Sequence, residues 1–232
     1  IDAAVTKLSD RVETAAKAAF AIGGAAVAGA FGTALANSLD VADARAKLTA
    51  QLDLSAQDSE RLGKVAGKLY TNAYGDSLDE INDALRKVVQ DTGTNLNSVS
   101  LQPLTAKVIS VSKAFDQDLG GVTRAVGQLM RTGLVGVLRQ ALDIVAKGFA
   151  SGTDKADDFL DTINEYGTQF RKLGLSGAQA IGLMNQGLRA GARDADIVAD
   201  AIKEFAIRAV DGSDATKDGF KQLGLSVKTM SE

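Results

Sequence analysis

Apolar residues recur at three- and four-residue steps along most of the chain, and no stretch of four or more residues alternates as a β-strand would. Val5, Leu8, Val12 and Ala15 form one such face, with Asp10, Arg11 and Glu13 between them. Leu62, Val65, Ala66 and Leu69 form another, and Leu78, Ile81, Leu85 and Val88 a third. The most regular is Phe159, Ile163, Tyr166, Phe170 and Leu173, and Ile197, Ala201, Phe205 and Ala209 share a further face. The pattern predicts an all-α protein made of several amphipathic helices and helical hairpins.

The polar residues between these faces act as punctuation. Ser55 with Asp58, Ser77 with Glu80, and Ser176 with Gln179 have the spacing of helix N-terminal caps. Residues 70–75 read as a break and 91–102 as a loop, and Pro103 suits the first turn of the helix that follows. Gly120-Gly121 reads as another break. A helix is then expected to run to about Ala150, straight through the apolar run between Arg131 and Arg139. Asp194 and Asp196 suit the start of a further helix. Leu52-Asp-Leu-Ser55, Leu173-Gly-Leu-Ser176 and Leu223-Gly-Leu-Ser226 share the pattern L-x-L-S. This is either coincidence in a chain rich in Leu, Ser and Gly, or a helix end followed by the next cap, repeated along the chain.

One segment departs from amphipathicity. Residues 18–36 carry no charge, and Thr33 is their one polar side chain. As a helix they would span about 28 Å, close to the roughly 30 Å of a bilayer's hydrocarbon core. Phe20, Ile22, Val27, Phe31 and Leu35 are the large apolar residues, and Gly24, Ala25 and Gly29 the small ones that allow close helix approach. These eight are the candidate membrane-contact or helix-packing residues. A helix buried in a protein bundle or a tube lumen would look the same. The expected organisation is a long helix over 1–50 containing this Gly/Ala-rich stretch, a helical region over 51–150 and helical hairpins over 151–232. A first residue of Ile rather than Met points to a piece of a longer polypeptide, with processing as the alternative.

Composition narrows the chemistry. With no Trp and 5% aromatics, the core must be built from Ala, Leu, Val and Ile, which suits close helix packing. One proline in 232 residues lets most of the chain run as helix. No Cys means no disulfide framework and no thiolate metal site, and no His removes the usual general base and metal ligand. The net charge of −3 is too balanced for sequence-specific nucleic-acid binding. Two carboxylate groups remain as acid–base candidates: Asp157-Asp158 with Asp161, and Asp79-Glu80 with Asp83. Both suit solvated helix faces better than a pocket that would raise one pKa. Asp211-Gly-Ser-Asp214 lacks the ligand pattern of a calcium loop. No enzyme activity and no cofactor are expected.

The blocks LTAQLDLSAQDSERLGKVAGKLYTNAYGDSLDEINDAL (48–85) and DFLDTINEYGTQFRKLGLSGAQAIGLMNQGLRAGARDADIVADAIKEFAIRAVDGSDAT (158–216) resemble the tail tape measure proteins of long-tailed phages, particularly those infecting actinobacteria. The resemblance implies a virion structural protein that lies in the tail tube as a small homo-oligomer, commonly a trimer. It implies tail tube and tail tip proteins as partners, a role in setting tail length and, on infection, help in passing DNA across the host envelope and its membrane. The alternative from the residues is a membrane-inserting pore or translocation protein unrelated to tails.

Overall fold

The computed structural model describes residues 39–224, with ten α-helices and no strand among them. They are α1 (Leu39–Leu52), α2 (Ala56–Thr71), α3 (Leu78–Thr92), α4 (Leu101–Ala114), α5 (Leu119–Arg131), α6 (Leu138–Ala150), α7 (Phe159–Lys172), α8 (Gly177–Arg189), α9 (Ala195–Ala209) and α10 (Asp214–Gln222). The all-α expectation therefore holds over these residues. The apolar stretch 18–36, with Phe20, Ile22, Gly24, Ala25, Val27, Gly29, Phe31 and Leu35, lies outside them.

The caps read from sequence form as expected where they are local. The Ser55 hydroxyl accepts the Asp58 N–H at 3.1 Å and so starts α2. Ser176 makes a full capping box: its hydroxyl accepts the Gln179 N–H, and Gln179 Oε1 accepts the Ser176 N–H at 2.9 Å. Ser77 accepts the Glu80 N–H, but Glu80 reaches one residue further back, to the Asp76 N–H.

Helices α1–α3, α4–α6 and α7–α9 follow a common plan. The first helix of a set has fourteen residues in α4 and α7. It ends at a residue with positive φ, namely Asp53, Asp116 or Gly174. Two residues later a Ser or Asp caps the second helix: Ser55, Asp118 and Ser176. The second helix ends at Ala73, Gly133 or Gly191, and the third is followed by Gly93, Gly152 or Gly212, again all with positive φ. In this left-handed conformation the amide two residues past the helix end turns back onto the last turn. Leu54, Gln117 and Leu175 accordingly donate to the carbonyls of Thr49, Ser112 and Phe170. At 52–55 and 173–176 the L-x-L-S echo is thus the joint between first and second helices. Its fourth version, Phe115-Asp-Gln-Asp118, escapes the sequence pattern.

Two expectations are corrected. Gly120 and Gly121 do not break the chain; they lie buried in the first turn of α5, whose cap is Asp118. The continuous helix to Ala150 is instead two helices, because the chain turns at Gly133 (φ 73°) and α6 starts at Leu138.

The chain divides into two compact units, one ending at Arg86 and one beginning at Lys87. In the first, α1 packs on α2. Arg45 donates to the Ser59 hydroxyl at 3.0 Å, and Leu62, Leu69, Ile81 and Leu85 are fully buried. In the second, α5 packs on α4, α6 and α7, α8 packs on α6 and α9, and α7 also packs on α9. Its core includes Val108, Val122, Val126, Leu142, Val145, Phe159 and Met184.

Gly182 sits inside α8 with open space where a Cβ would stand. Gly182→Ala is therefore expected to stabilise the protein by roughly 0.5–1 kcal/mol through backbone entropy and helix propensity alone. A higher midpoint in guanidinium unfolding, followed by circular dichroism, would confirm it.

Candidate packing and anchoring sites

The segment after α6, residues 151–158, ties several elements together. Asn185 of α8 donates to the Ser151 carbonyl at 2.8 Å and to the Thr153 hydroxyl at 3.3 Å. Asp154 accepts the Phe159 N–H at 3.0 Å through one oxygen and the Gln117 amide at 3.3 Å through the other. Asp158 accepts the Asp196 N–H at 2.8 Å and so anchors the start of α9. Burial pushes the Asp154 carboxyl above its ordinary range, aided by Asp157 and Asp158 and opposed by the Phe159 N–H.

Other carboxylates serve as caps. Asp194 accepts the Ile197 N–H at 2.9 Å and pairs with Arg193. The Ile197 N–H first, and then Arg193, hold its pKa below the usual range. The Ser213 N–H does the same for Asp211. Both contributions to stability are present above the unfolded value of about 3.9 and are lost as pH falls through the lower folded values.

Close approach is the second theme. A Cβ on Gly148 would lie 2.7 Å from Phe159 Cε1, and one on Gly127 would lie 2.9 Å from the Asp91 carbonyl carbon. Phe159 is fully buried and meets Phe149 edge-on at 5.2 Å, while Phe149 stacks on Phe115 at 5.0 Å. These three rings fill the space where α6 meets α7 and the end of α4.

Between the ends of α5 and α7 lies an open groove of about 380 Å³, lined by Gln128, Arg131, Thr132, Thr168, Arg171 and Lys172. Arg131 donates to the Asp91 carbonyl at 2.7 Å and to Gln128. Basic residues in a last turn are favoured by the helix dipole, which accounts for Arg131, Arg171 and Lys172 at these ends.

The acid–base candidates are not brought into one pocket. Asp157 sits in a turn at φ 55° and Asp158 holds α9. Asp83 pairs with Arg86, and Glu80 accepts the Asp76 N–H. Among the described residues no three side chains are placed to hold a metal ion, and no helix is long and apolar enough to cross a membrane. The functional geometry that sequence reading missed is the joint 151–158. Its signal was present in Thr153-Asp154 and Asp157-Asp158; the second pair stands among the acid–base candidates above rather than as an anchor, and the first is not singled out there.

Helix joints, glycine contacts and carboxylate anchors define a helical scaffold protein. The family model described as "Phage-related minor tail protein" matches residues 57–232, well over half of the chain, and the chain belongs to that family. It is 40% identical over 76 residues to the "Probable tape measure protein" of Streptomyces phage phiC31, covering 33% of this chain and 10% of that protein. It is 30% identical over 143 residues to the "Uncharacterized protein YqbO" of Bacillus subtilis (strain 168), covering 60% of this chain and 9% of that protein. The chain thus spans about a tenth of the length of these relatives. No solved structure matches. The resemblance to tail tape measure proteins read from 48–85 and 158–216 agrees with these findings, which give the chain a structural role in a phage tail.

Proposed function

We propose that this chain is a modular segment of a tail tape. In this reading it occupies the tail tube as a homo-oligomer of three chains, contacts tube and tip proteins, contributes to tail length and leaves ahead of the DNA. The observation that carries the reading is the repeated three-helix plan in a chain of the minor tail family. A length-setting protein gains from modules that can be added or removed without disturbing their neighbours.

Deleting 101–158 from the parent phage removes one module. Those residues would occupy roughly 87 Å as continuous helix at about 1.5 Å per residue. Tails shortened by about that length in electron micrographs would support a segment that lies extended and measures. Tails of unchanged length would remove the ruler role from this segment.

A second reading rests on the uncharged stretch 18–36, with Phe20, Ile22, Val27, Phe31 and Leu35 entering the host membrane during infection. Flotation with liposomes, with and without 18–36, tests it separately. Binding that survives the deletion would sink it.

A further inference from the structure

Where α5 and α7 meet, three cations share one groove. The two helices approach closely because Gly167 is buried between them: a Cβ there would lie 3.3 Å from Gln128 Cγ and 3.5 Å from Thr132 Cγ2. Beside this contact each helix lines the groove with residues at i, i+3 and i+4, Gln128, Arg131 and Thr132 from α5 and Thr168, Arg171 and Lys172 from α7. Side chains at that spacing share one helix face. Arg171 reaches the turn after α5, where a Cβ on Gly133 would lie 3.5 Å from its Nε. The groove is therefore set by helix packing.

The helix dipole accounts for cations at these helix ends, but not for what they face. The last carbonyls are already served by the backbone, since the Gly133 and Gly174 N–H groups donate to the Met130 and Arg171 carbonyls at 3.0 and 2.9 Å. Arg131 is held by the Asp91 carbonyl and Gln128. Among the described residues no carboxylate stands within ion-pair distance of Arg131, Arg171 or Lys172. Lys64, Lys107, Lys203 and Arg208 each face one. In a chain with 29 acidic residues against 26 basic ones, a groove that gathers cations and no acid departs from the composition. Thr168, Arg171 and Lys172 are exposed and have no hydrogen-bond partner among the described residues. Arg and Lys are donors only, so the groove offers hydrogen-bond donors and positive potential and calls for a partner rich in acceptors and negative charge.

We propose that this groove binds a phosphate of a DNA duplex backbone, with Arg171 and Lys172 meeting the phosphate oxygens and the fixed Arg131 as the third cation. A guanidinium presents paired N–H donors that match two phosphate oxygens, and a lysine adds a point charge. All six lining side chains are polar, which disfavours a lipid surface, where apolar residues would enter the interface. No ring lines the groove, so no unpaired base can stack there, and the contact is to backbone without sequence. Such a contact needs a local patch rather than a basic chain, so the net charge of −3 does not oppose it. The inference rests on the tail reading only for the source of the phosphate, the DNA that the tape precedes.

The test is fluorescence anisotropy of a short labelled DNA duplex with the full-length chain, over a salt series. Arg171→Gln with Lys172→Gln should weaken binding about tenfold or more at low salt and flatten the plot of log affinity against log salt by about 2, since each phosphate contact contributes about 0.9 to that slope. The charge-matched pair Lys217→Gln with Lys221→Gln, on α10 and outside the groove lining, should leave the slope unchanged. Thr168→Lys adds a cation to the lining and should tighten binding, a gain that misfolding does not mimic. Equal losses from the two pairs would reduce the effect to net charge and overturn the proposal, as would a slope that ignores Arg171 and Lys172. Displacement of the duplex by millimolar inorganic phosphate at matched ionic strength would give the groove to the free anion. Binding to phosphatidylglycerol vesicles in place of the duplex, through the same two residues, would give it to a lipid. Either result overturns the assignment to DNA. Tail length after deletion of 101–158 is read separately, so this proposal and the tail reading can fail independently.

Discussion

Gly127→Ala is expected to destabilise the second unit by about 2–4 kcal/mol, although alanine is the better helix former. Gly127 lies buried in α5, against the last turn of α3. An added Cβ would press into the Asp91 peptide, at 2.9 Å from its carbonyl carbon and closer still to its oxygen. Backbone cannot rotate aside as a side-chain tip can. Relief therefore requires α3 to move off α5, away from Arg131, which donates to the Asp91 carbonyl, and Thr123, which donates to the Asp91 carboxylate. The gain in helix propensity is about 1 kcal/mol. Overpacking costs roughly 1–3 kcal/mol, and each weakened hydrogen bond adds about 1. The sum is a loss, readable as a lower guanidinium midpoint at unchanged slope. Gly127→Ala and Gly182→Ala should thus shift the midpoint in opposite directions, a contrast that helix propensity alone would not produce.

Phe159→Ala should cost about 3–5 kcal/mol, the loss expected for emptying a fully buried ring site. Phe159 is the ring that α7 presents to α6, edge-on to Phe149. The absent side chain of Gly148 makes room for it, since a Cβ there would lie 2.7 Å from Cε1 and 3.2 Å from Cε2. Gly148→Ala should therefore be destabilising alone, by roughly 1–3 kcal/mol. Combined with Phe159→Leu, whose shorter side chain withdraws from that position, it should cost clearly less than the sum. A coupling of about 1 kcal/mol or more in the double-mutant cycle is the expected signature. Strict additivity would mean that the ring and the glycine do not share the space.

What could be read from the sequence was whatever depended on neighbours along the chain. The Ser176–Gln179 box and the Ser55 cap each join residues three apart. The face from Phe159 to Phe170 is a local periodicity, and all four of its residues on α7 are buried. Misreadings came where one residue type serves two purposes. Gly120 and Gly121 were read as a break, yet Gly121 is small because Leu160 Cδ1 stands 3.1 Å from where its Cβ would be. Gly133 was passed over inside an apolar run, yet its positive φ turns the chain. The cap at Asp118 was hidden because Phe115, Gln117 and Asp118 replace the two Leu and the Ser of the other joints. The face of Ile197, Ala201 and Phe205 was legible as a stripe, but periodicity does not say which side of a helix meets its neighbours. Residues 18–36 stood out by their lack of charge, the opposite kind of signal from the joints that organise 39–224.

In the second unit, the α7–α9 set is joined to the α4–α6 set through α5 with α7 and α6 with α8. A longer array joined only in this way would have no long-range clasp holding its first module to its last. Under tension applied at one end, load falls on a single interface at a time. The resisting force is then set by one module rather than by the number in the chain, and extension proceeds stepwise from the pulled end. A chain drawn lengthwise through a narrow opening would pay out in increments of one module, and its unpulled remainder would stay folded.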